Sequence, residues 1–194
     1  MFERDYFKKI CFVFFFCLFV SPICTAQRPV EYTRNFGGMP ISCSIYSTQA
    51  SINGVSTGDT LQKVLSVFGN PNYTSRSDGR IELFYTGAQI QLIAWDPNAN
   101  YTVATITMSG RGNFRTPDGV CVGMPETVLS TVYGTADNVS TERHKAPKLS
   151  AQDNEKYWEG LDQTIYEYNV NASVSMKFIV KKGVIDSIII HASD

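Results

Sequence analysis

Residues 54–71 read GVSTGDTLQKVLSVFGNP, and residues 119–136 read GVCVGMPETVLSTVYGTA. At a constant offset of 65 residues, Gly54 matches Gly119, Val55 matches Val120 and Gly58 matches Gly123. Further along, Val64 matches Leu129, Val67 matches Val132, Phe68 matches Tyr133 and Gly69 matches Gly134. Self-similarity at fixed spacing marks a repeated supersecondary unit, so this pair of segments governs how the rest of the chain is read. Leu61, Val64, Leu65 and Phe68 recur at i, i+3, i+4 and i+7, which predicts one apolar face of a short helix. Val128, Leu129, Val132 and Tyr133 predict the same face in the second copy. Asp59 or Thr60 suits the cap of the first helix, and Pro125 the first turn of the second, where its missing N–H costs nothing. Gly69 and Gly134 stand where the chain leaves each helix, and Pro71 blocks its resumption. Helices of two to three turns are marginal alone and need a sheet to pack on.

Strand-like segments follow each helix in matching order. After the first come Ile81–Tyr85, Gln89–Trp95 and Val103–Met108; after the second come Thr164–Tyr168, Ser173–Val180 and Val184–Ile190. The last pair aligns as VATITM against IDSIII. Ile52–Val55 and Val120–Val122 suggest a further strand before each helix, and ISCSIYS at 41–47 an N-terminal one. The expected fold is therefore α+β: two tandem units of helix then antiparallel strands, with the helices packed on one face of a shared curved antiparallel sheet. Unit 1 spans 52–116 and unit 2 spans 117–194, with a polar insertion at 138–162 and an N-terminal extension at 27–51.

The N-terminus has its own composition. Seven of the 12 phenylalanines lie in the first 19 residues. A start bearing Arg4, Lys8 and Lys9 leads into the apolar run Ile10–Val20, too short for a bilayer that needs about 20 helical residues. Ser21-Pro22 and the small residues Thr25-Ala26 complete the layout of a secretory signal, cleaved between Ala26 and Gln27. The expected protein is exported, to the periplasm or beyond. Cys24 follows Pro22-Ile23 rather than the small residues that lipoprotein acylation requires, which argues against a lipid anchor there. Cleavage removes three of the five cysteines and leaves Cys43 and Cys121. A disulfide between them would contribute about 4 kcal/mol by constraining the unfolded chain; two separate buried thiols are the alternative.

Lysine and arginine number 17 against 18 acids, for a net charge of −1, which argues against a nucleic-acid partner. No nucleophile elbow, metal-binding H-E-x-x-H, C-x-x-C or phosphate-binding glycine loop occurs. Two cysteines and two histidines without ligand spacing point away from zinc, and no cofactor is expected.

The paired pattern, with Gly58, Val64, Phe68, Gly69 and Pro71 answered by Gly123, Leu129, Tyr133, Gly134 and Ala136, resembles two bacterial groups. One is the β-lactamase inhibitor protein family; the other is the SmpA/OmlA-type outer-membrane assembly lipoproteins. The resemblance covers residues 52–194 and implies units lying side by side, with helices behind a common sheet. Its motif is structural, and the sequence departs from it at Thr135-Ala136 and at the cysteines. Four Asn-x-Ser/Thr sequons (Asn72, Asn100, Asn138, Asn171) would fit eukaryotic glycosylation, but the bacterial resemblance outweighs them.

Strand alternation divides the sheet residues between two faces. Ile90, Leu92, Ala94, Ile106 and Met108, with Val174, Met176, Phe178, Val180, Ile188 and Ile190, should be covered. The other face should carry Gln89, Gln91, Ile93, Trp95, Thr105 and Thr107, then Ser173, Ser175, Lys177, Ile179, Ser187 and Ile189. Neutral polar residues with isolated large apolars characterise many protein-binding surfaces. The expected function is a non-enzymatic, protein-binding module of the bacterial cell envelope, acting on another envelope or secreted protein. Trp95 is the leading anchor, followed by Phe84, Tyr101 and Trp158, with Gln91, Thr105, Ser175 and Lys177 around them. Two readings compete: an enzyme using the cleft between units with His144 or His191 as acid/base, and a structural envelope protein without a specific partner.

Overall fold

The computed structural model describes residues 32–36, 39–43, 45–94, 100–110, 113–142 and 162–192. A small hairpin comes first, β1 (Tyr32–Phe36) and β2 (Met39–Cys43), paired antiparallel as a separate two-stranded sheet. Helix α1 (Leu61–Phe68) precedes β3 (Tyr73–Ser77), β4 (Arg80–Tyr85), β5 (Ala88–Ile93) and β6 (Thr102–Met108). Helix α2 (Thr127–Val132) precedes β7 (Asn138–Glu142), β8 (Gln163–Asn171), β9 (Val174–Lys181) and β10 (Val184–Ala192). The last eight strands form one antiparallel sheet in the order β3-β4-β5-β6-β10-β9-β8-β7.

This corrects the expected fold. The molecule is dominated by the eight-stranded sheet, and the helices are minor elements of 8 and 6 residues, not the layer of a helix-on-sheet α+β architecture. The reason is local. Four of the six α2 residues (Thr127, Val128, Thr131, Val132) are β-branched, which disfavours helix through lost side-chain freedom. No side chain caps α2 at Glu126. Of the predicted apolar face of α1, only Val64 is buried; Leu61 and Phe68 pack partly against the core. Much of the cover comes instead from irregular chain. Ile45, Ile52, Val55 and Val120 are essentially inaccessible and join Ile81, Leu83, Ile90, Leu92, Ile106, Met108, Met176, Phe178, Val180, Ile188 and Ile190 in one buried cluster.

The strand inventory also differs. β3 and β7 were not expected as strands, because YTSRS and NVSTE lack the apolar alternation of a half-buried strand. Both are sheet edges, and β7, exposed at all five residues, occupies the start of the predicted polar insertion. Ile52–Val55 forms an isolated bridge rather than a strand, and Val120–Val122 has no strand at all.

Contacts recur between the two parts of the chain. Gly58 N–H donates to Val103 O at 2.8 Å, and Gly123 N–H to Ile185 O at 2.8 Å. The return bonds run from Val103 N–H to Asp59 O and from Ile185 N–H to Met124 O. Both glycines sit at positive φ, +86° and +92°, a conformation that costs an L residue about 1–2 kcal/mol. Each turn thus ties the segment before a helix to the strand that ends its half of the sheet.

The halves meet where β6 pairs with β10. Met108 faces Ile188, Thr107 faces Ile189 and Ile106 faces Ile190. With VATITM aligned on IDSIII, Thr107 faces its own counterpart Ile189, while Ile106 and Met108 each face the counterpart of the other, so a local two-fold passes between Thr107 and Ile189. β9 and β10 owe their tight join to Lys182 and Gly183, both at positive φ (+52° and +71°), as a two-residue hairpin turn matched to strand twist requires.

Candidate functional site

The sheet has one face in the core and one without cover from the buried cluster. On that second face, cross-strand pairing among the described residues builds a continuous row across all eight strands. Tyr73 pairs with Phe84, Phe84 with Gln89, Gln89 with Thr107, and Thr107 with Ile189. The row continues from Ile189 to Lys177, from Lys177 to Glu167, and from Glu167 to Asn138. Beside it runs a second row, Ser75, Glu82, Gln91, Thr105, His191, Ser175 and Asn169. Neighbouring strands stand about 4.7–4.9 Å apart, so these side chains form a regular grid, polar at most positions, with Phe84 and Ile189 as apolar members.

The grid is aromatic at one end and ionic at the other. The rings of Tyr73 and Phe84 lie 5.5 Å apart, tilted by 39°, and Tyr73 is 64 % exposed. At the far end Lys177 Nζ meets Glu167 Oε1 at 3.1 Å, and Asn138 Nδ2 donates to Glu167 Oε2 at 3.5 Å. Burial works to raise the Glu167 pKa. Hydrogen bonds from Lys177, Asn138 and Ser175, with the Lys177 charge, outweigh it and hold the carboxyl below its ordinary value. In the middle are amides and hydroxyls: Gln89, Gln91, Thr105 and Thr107, all half-buried.

Of the residues named from sequence, Phe84, Gln91, Thr105, Ser175 and Lys177 share this face. Tyr101 does not: it packs partly against the core and lines a groove with Leu61 and Leu65 of α1. Trp95, Trp158 and His144 lie outside the described residues, as does Cys24. Ser187, expected on the open face, is 7 % exposed. Cys121 is a free, half-buried thiol, and the side chain of Cys43 lies outside the described residues. Asn72, Asn100 and Asn138 are exposed and Asn171 half-buried.

Three contributors escaped the sequence reading. Tyr73 sits on a strand whose polar composition hid it. Glu167 was not distinguished from other acids, because its pairing to Lys177 depends on the β8–β9 register. His191, an acid/base candidate by sequence, occupies the second row. The Thr105 hydroxyl lies 2.9 Å from its Nδ1, and among the described residues no carboxylate bonds to it.

A separate groove of about 850 Å³ lies on the opposite side, between α2, β7 and β8. The Tyr166 hydroxyl donates to Glu126 there, and that bond is the main cause of a Tyr166 pKa pushed up to about 12. Deeper in, Tyr133 and Tyr168 have their pKa values raised by burial. Tyr133 donates to Thr116 Oγ1 at 2.8 Å.

Among the described residues no three His, Cys, Asp or Glu side chains cluster to hold a metal ion. No described helix is long and apolar enough to cross a membrane. No protein-family model, curated protein or solved structure matches the chain.

Proposed function

We propose that this protein is an exported, non-enzymatic module that binds another protein of the cell envelope on the open face of its sheet. The observation that supports this most is the eight-strand row, in which an aromatic pair of exposed Tyr73 and half-buried Phe84, a mainly neutral polar centre and a Lys–Glu pair lie in register. Tyr73 and Phe84 offer large apolar area at low entropic cost, as interface anchors do. Gln89, Gln91, Thr105 and Thr107 offer donors and acceptors that a partner can satisfy without desolvating a charge. The resemblance to inhibitor and assembly families supports a partner in the envelope, with occlusion of the partner's surface as the mode of action.

The test is photocrosslinking in the native envelope, with a crosslinker at Gln89 on the face and at Ser66 on the exposed side of α1 as control. A discrete adduct is expected from Gln89 and none from Ser66. Combining Phe84→Ala with Lys177→Glu should cut the adduct at least tenfold. An unchanged yield refutes the open face as the binding surface.

A further inference from the structure

We propose that the groove between α2, β7 and β8 is a binding site for a small organic ammonium ligand, an amine carrying a short hydrocarbon chain. The same place in the first half of the chain is built differently. Thr74 pairs with Leu83 as Val139 pairs with Tyr166, and the Tyr85 and Tyr168 hydroxyls donate to Gly69 O and Gly134 O. Tyr166 therefore stands where the first half has Leu83. The constant offset of 65 residues likewise sets Glu126 against Leu61 and Ser130 against Leu65. In the first half Leu83 is 2 % exposed and Leu61 packs against the core. In the second half an acid, a serine and a phenol stand in place of the three leucines, and they line an open space of about 850 Å³. Small-molecule sites usually measure roughly 300–1,000 Å³.

Hydrogen bonding selects the occupant. Four hydroxyls of the wall already donate within the protein: Tyr166 to Glu126, Tyr168 to Gly134 O, and Ser130 and Thr131 to Thr127 O. What these groups have left to offer is lone pairs. Glu126 takes one hydrogen bond on its carboxylate, at Oε1, and among the described residues its side chain makes no ion pair. An ammonium brings donors and no acceptor, so each polar hydrogen it adds has a lone pair to meet. An anion would meet the same lone pairs and the Glu126 charge. No base lines the groove. Lys182, next to Gly183 at its rim, is exposed and unpaired with Glu126. Glu126 is half-buried, where salt screens an ion pair less than at an open surface.

The hydrocarbon part of the ligand has its own surface. Val139, in register with Tyr166 on the core side of the sheet, is 53 % exposed and lines the groove together with Ala136. A short alkyl chain laid there removes apolar area from water, and the Tyr166 ring adds the attraction of an aromatic face for a cation. The groove is separate from the open face, so each reading stands if the other fails.

The experiment titrates the full chain with three probes of equal length, hexylammonium chloride, hexanol and sodium hexanoate, followed by backbone amide NMR shifts. Hexylammonium should shift the amides of Glu126, Ser130, Val139 and Tyr166 saturably and bind at least tenfold tighter than hexanol. Hexanoate should shift none of them. Glu126→Gln should bring hexylammonium down to the affinity of hexanol. Ser130→Leu, which installs the first-half residue, should weaken both at least tenfold, and Phe84→Ala should change nothing. Equal affinity for the amine and the alcohol, shifts from hexanoate at the same amides, or saturable shifts only outside the groove overturn the proposal. So does unchanged amine binding in Glu126→Gln or Ser130→Leu. Should either variant lower the unfolding midpoint, the three probes on the parent chain decide, since that comparison needs no substitution.

Discussion

The ends of the two helices occupy equivalent places in the repeat and are stabilised by different means. α1 is capped locally: the Thr60 hydroxyl accepts from Lys63 N–H at 3.3 Å, and Lys63 Nζ pairs with Asp59 at 2.8 Å. Its terminal aromatic, Phe68, is only half-buried against Tyr85 and Phe114. α2 has no side-chain cap, but the residue that follows it, Tyr133, is 1 % exposed. Tyr133 stands 5.4 Å from Tyr168 and 5.2 Å from Phe178, ring centroid to centroid. The strand tyrosines behave alike in both places, Tyr85 donating to Gly69 O and Tyr168 to Gly134 O. α1 thus has a local cap that α2 lacks, while α2 is followed by an aromatic more deeply buried against distant strands. A conserved turn geometry does not require a conserved source of stability.

The largest test of that contrast is truncation of the two equivalent aromatics. Tyr133→Ala should cost about 3–5 kcal/mol in chemical denaturation, the usual range for emptying a buried aromatic site. Phe68→Ala, at a half-exposed site, should cost less than half as much. Equal losses would mean that α1 also depends on its aromatic, and the distinction would collapse. A smaller effect is expected at the caps. Thr60→Ala should cost about 1 kcal/mol, whereas Pro125→Ala, at the matching position of α2, should fall within about 0.5 kcal/mol of the parent. Parity between them in the same denaturation measurements would show that the Thr60 cap adds nothing.

The smallest effect is electrostatic and lies across the sheet. Glu167 has its folded-state pKa depressed, so its contribution to stability is fully present above the ordinary value of 4.5 and is lost as pH falls through the folded value. Glu167→Gln should therefore flatten the pH dependence of the unfolding midpoint below 4.5 and leave its dependence at neutral pH unchanged. An unaltered acid slope would remove Glu167 as the source. The ionic end of the open face would then contribute nothing to folding.

Part of this organisation can be read directly from residues. The two-residue period of AQIQLI and VSMKFIV separates covered from uncovered positions, because alternate side chains in a strand must point to opposite sides. Ile90, Leu92, Met176, Phe178 and Val180 are buried, while Gln89, Gln91, Ser175 and Lys177 retain access to solvent. The glycines that open each helical segment were legible through their spacing. The weight of the helices was not. An i, i+3, i+4, i+7 pattern reports which side of a segment can be buried, not how far the helix extends or how much of it is buried. In α2 the pattern fell on threonines and valines, and tertiary contacts supported only six residues of helix.

The edges were illegible for a related reason. β3 and β7 are polar because an edge strand buries little, so hydrophobic pattern carries no trace of them. Their pairing is a matter of backbone hydrogen bonds, which every residue but proline can make. The candidate site shows the same division. Phe84, Gln91 and Lys177 can be assigned to one face by parity alone, since they alternate with buried neighbours on their own strands. That Tyr73, Phe84, Gln89, Thr107, Ile189, Lys177, Glu167 and Asn138 form one row depends on seven separate strand registers.

By itself the sequence determined what is local: the duplicated turn-and-helix segment, the sidedness of the central strands and the near-neutral charge. Those follow from steric preference and side-chain period within a few residues. Tertiary structure alone decided the strand order, the meeting of β6 with β10 about a local two-fold, and the burial of Tyr133 rather than Phe68. Each is a contact between segments far apart in the chain. Its free energy depends on the surface both partners remove from water, and neither segment carries that quantity alone.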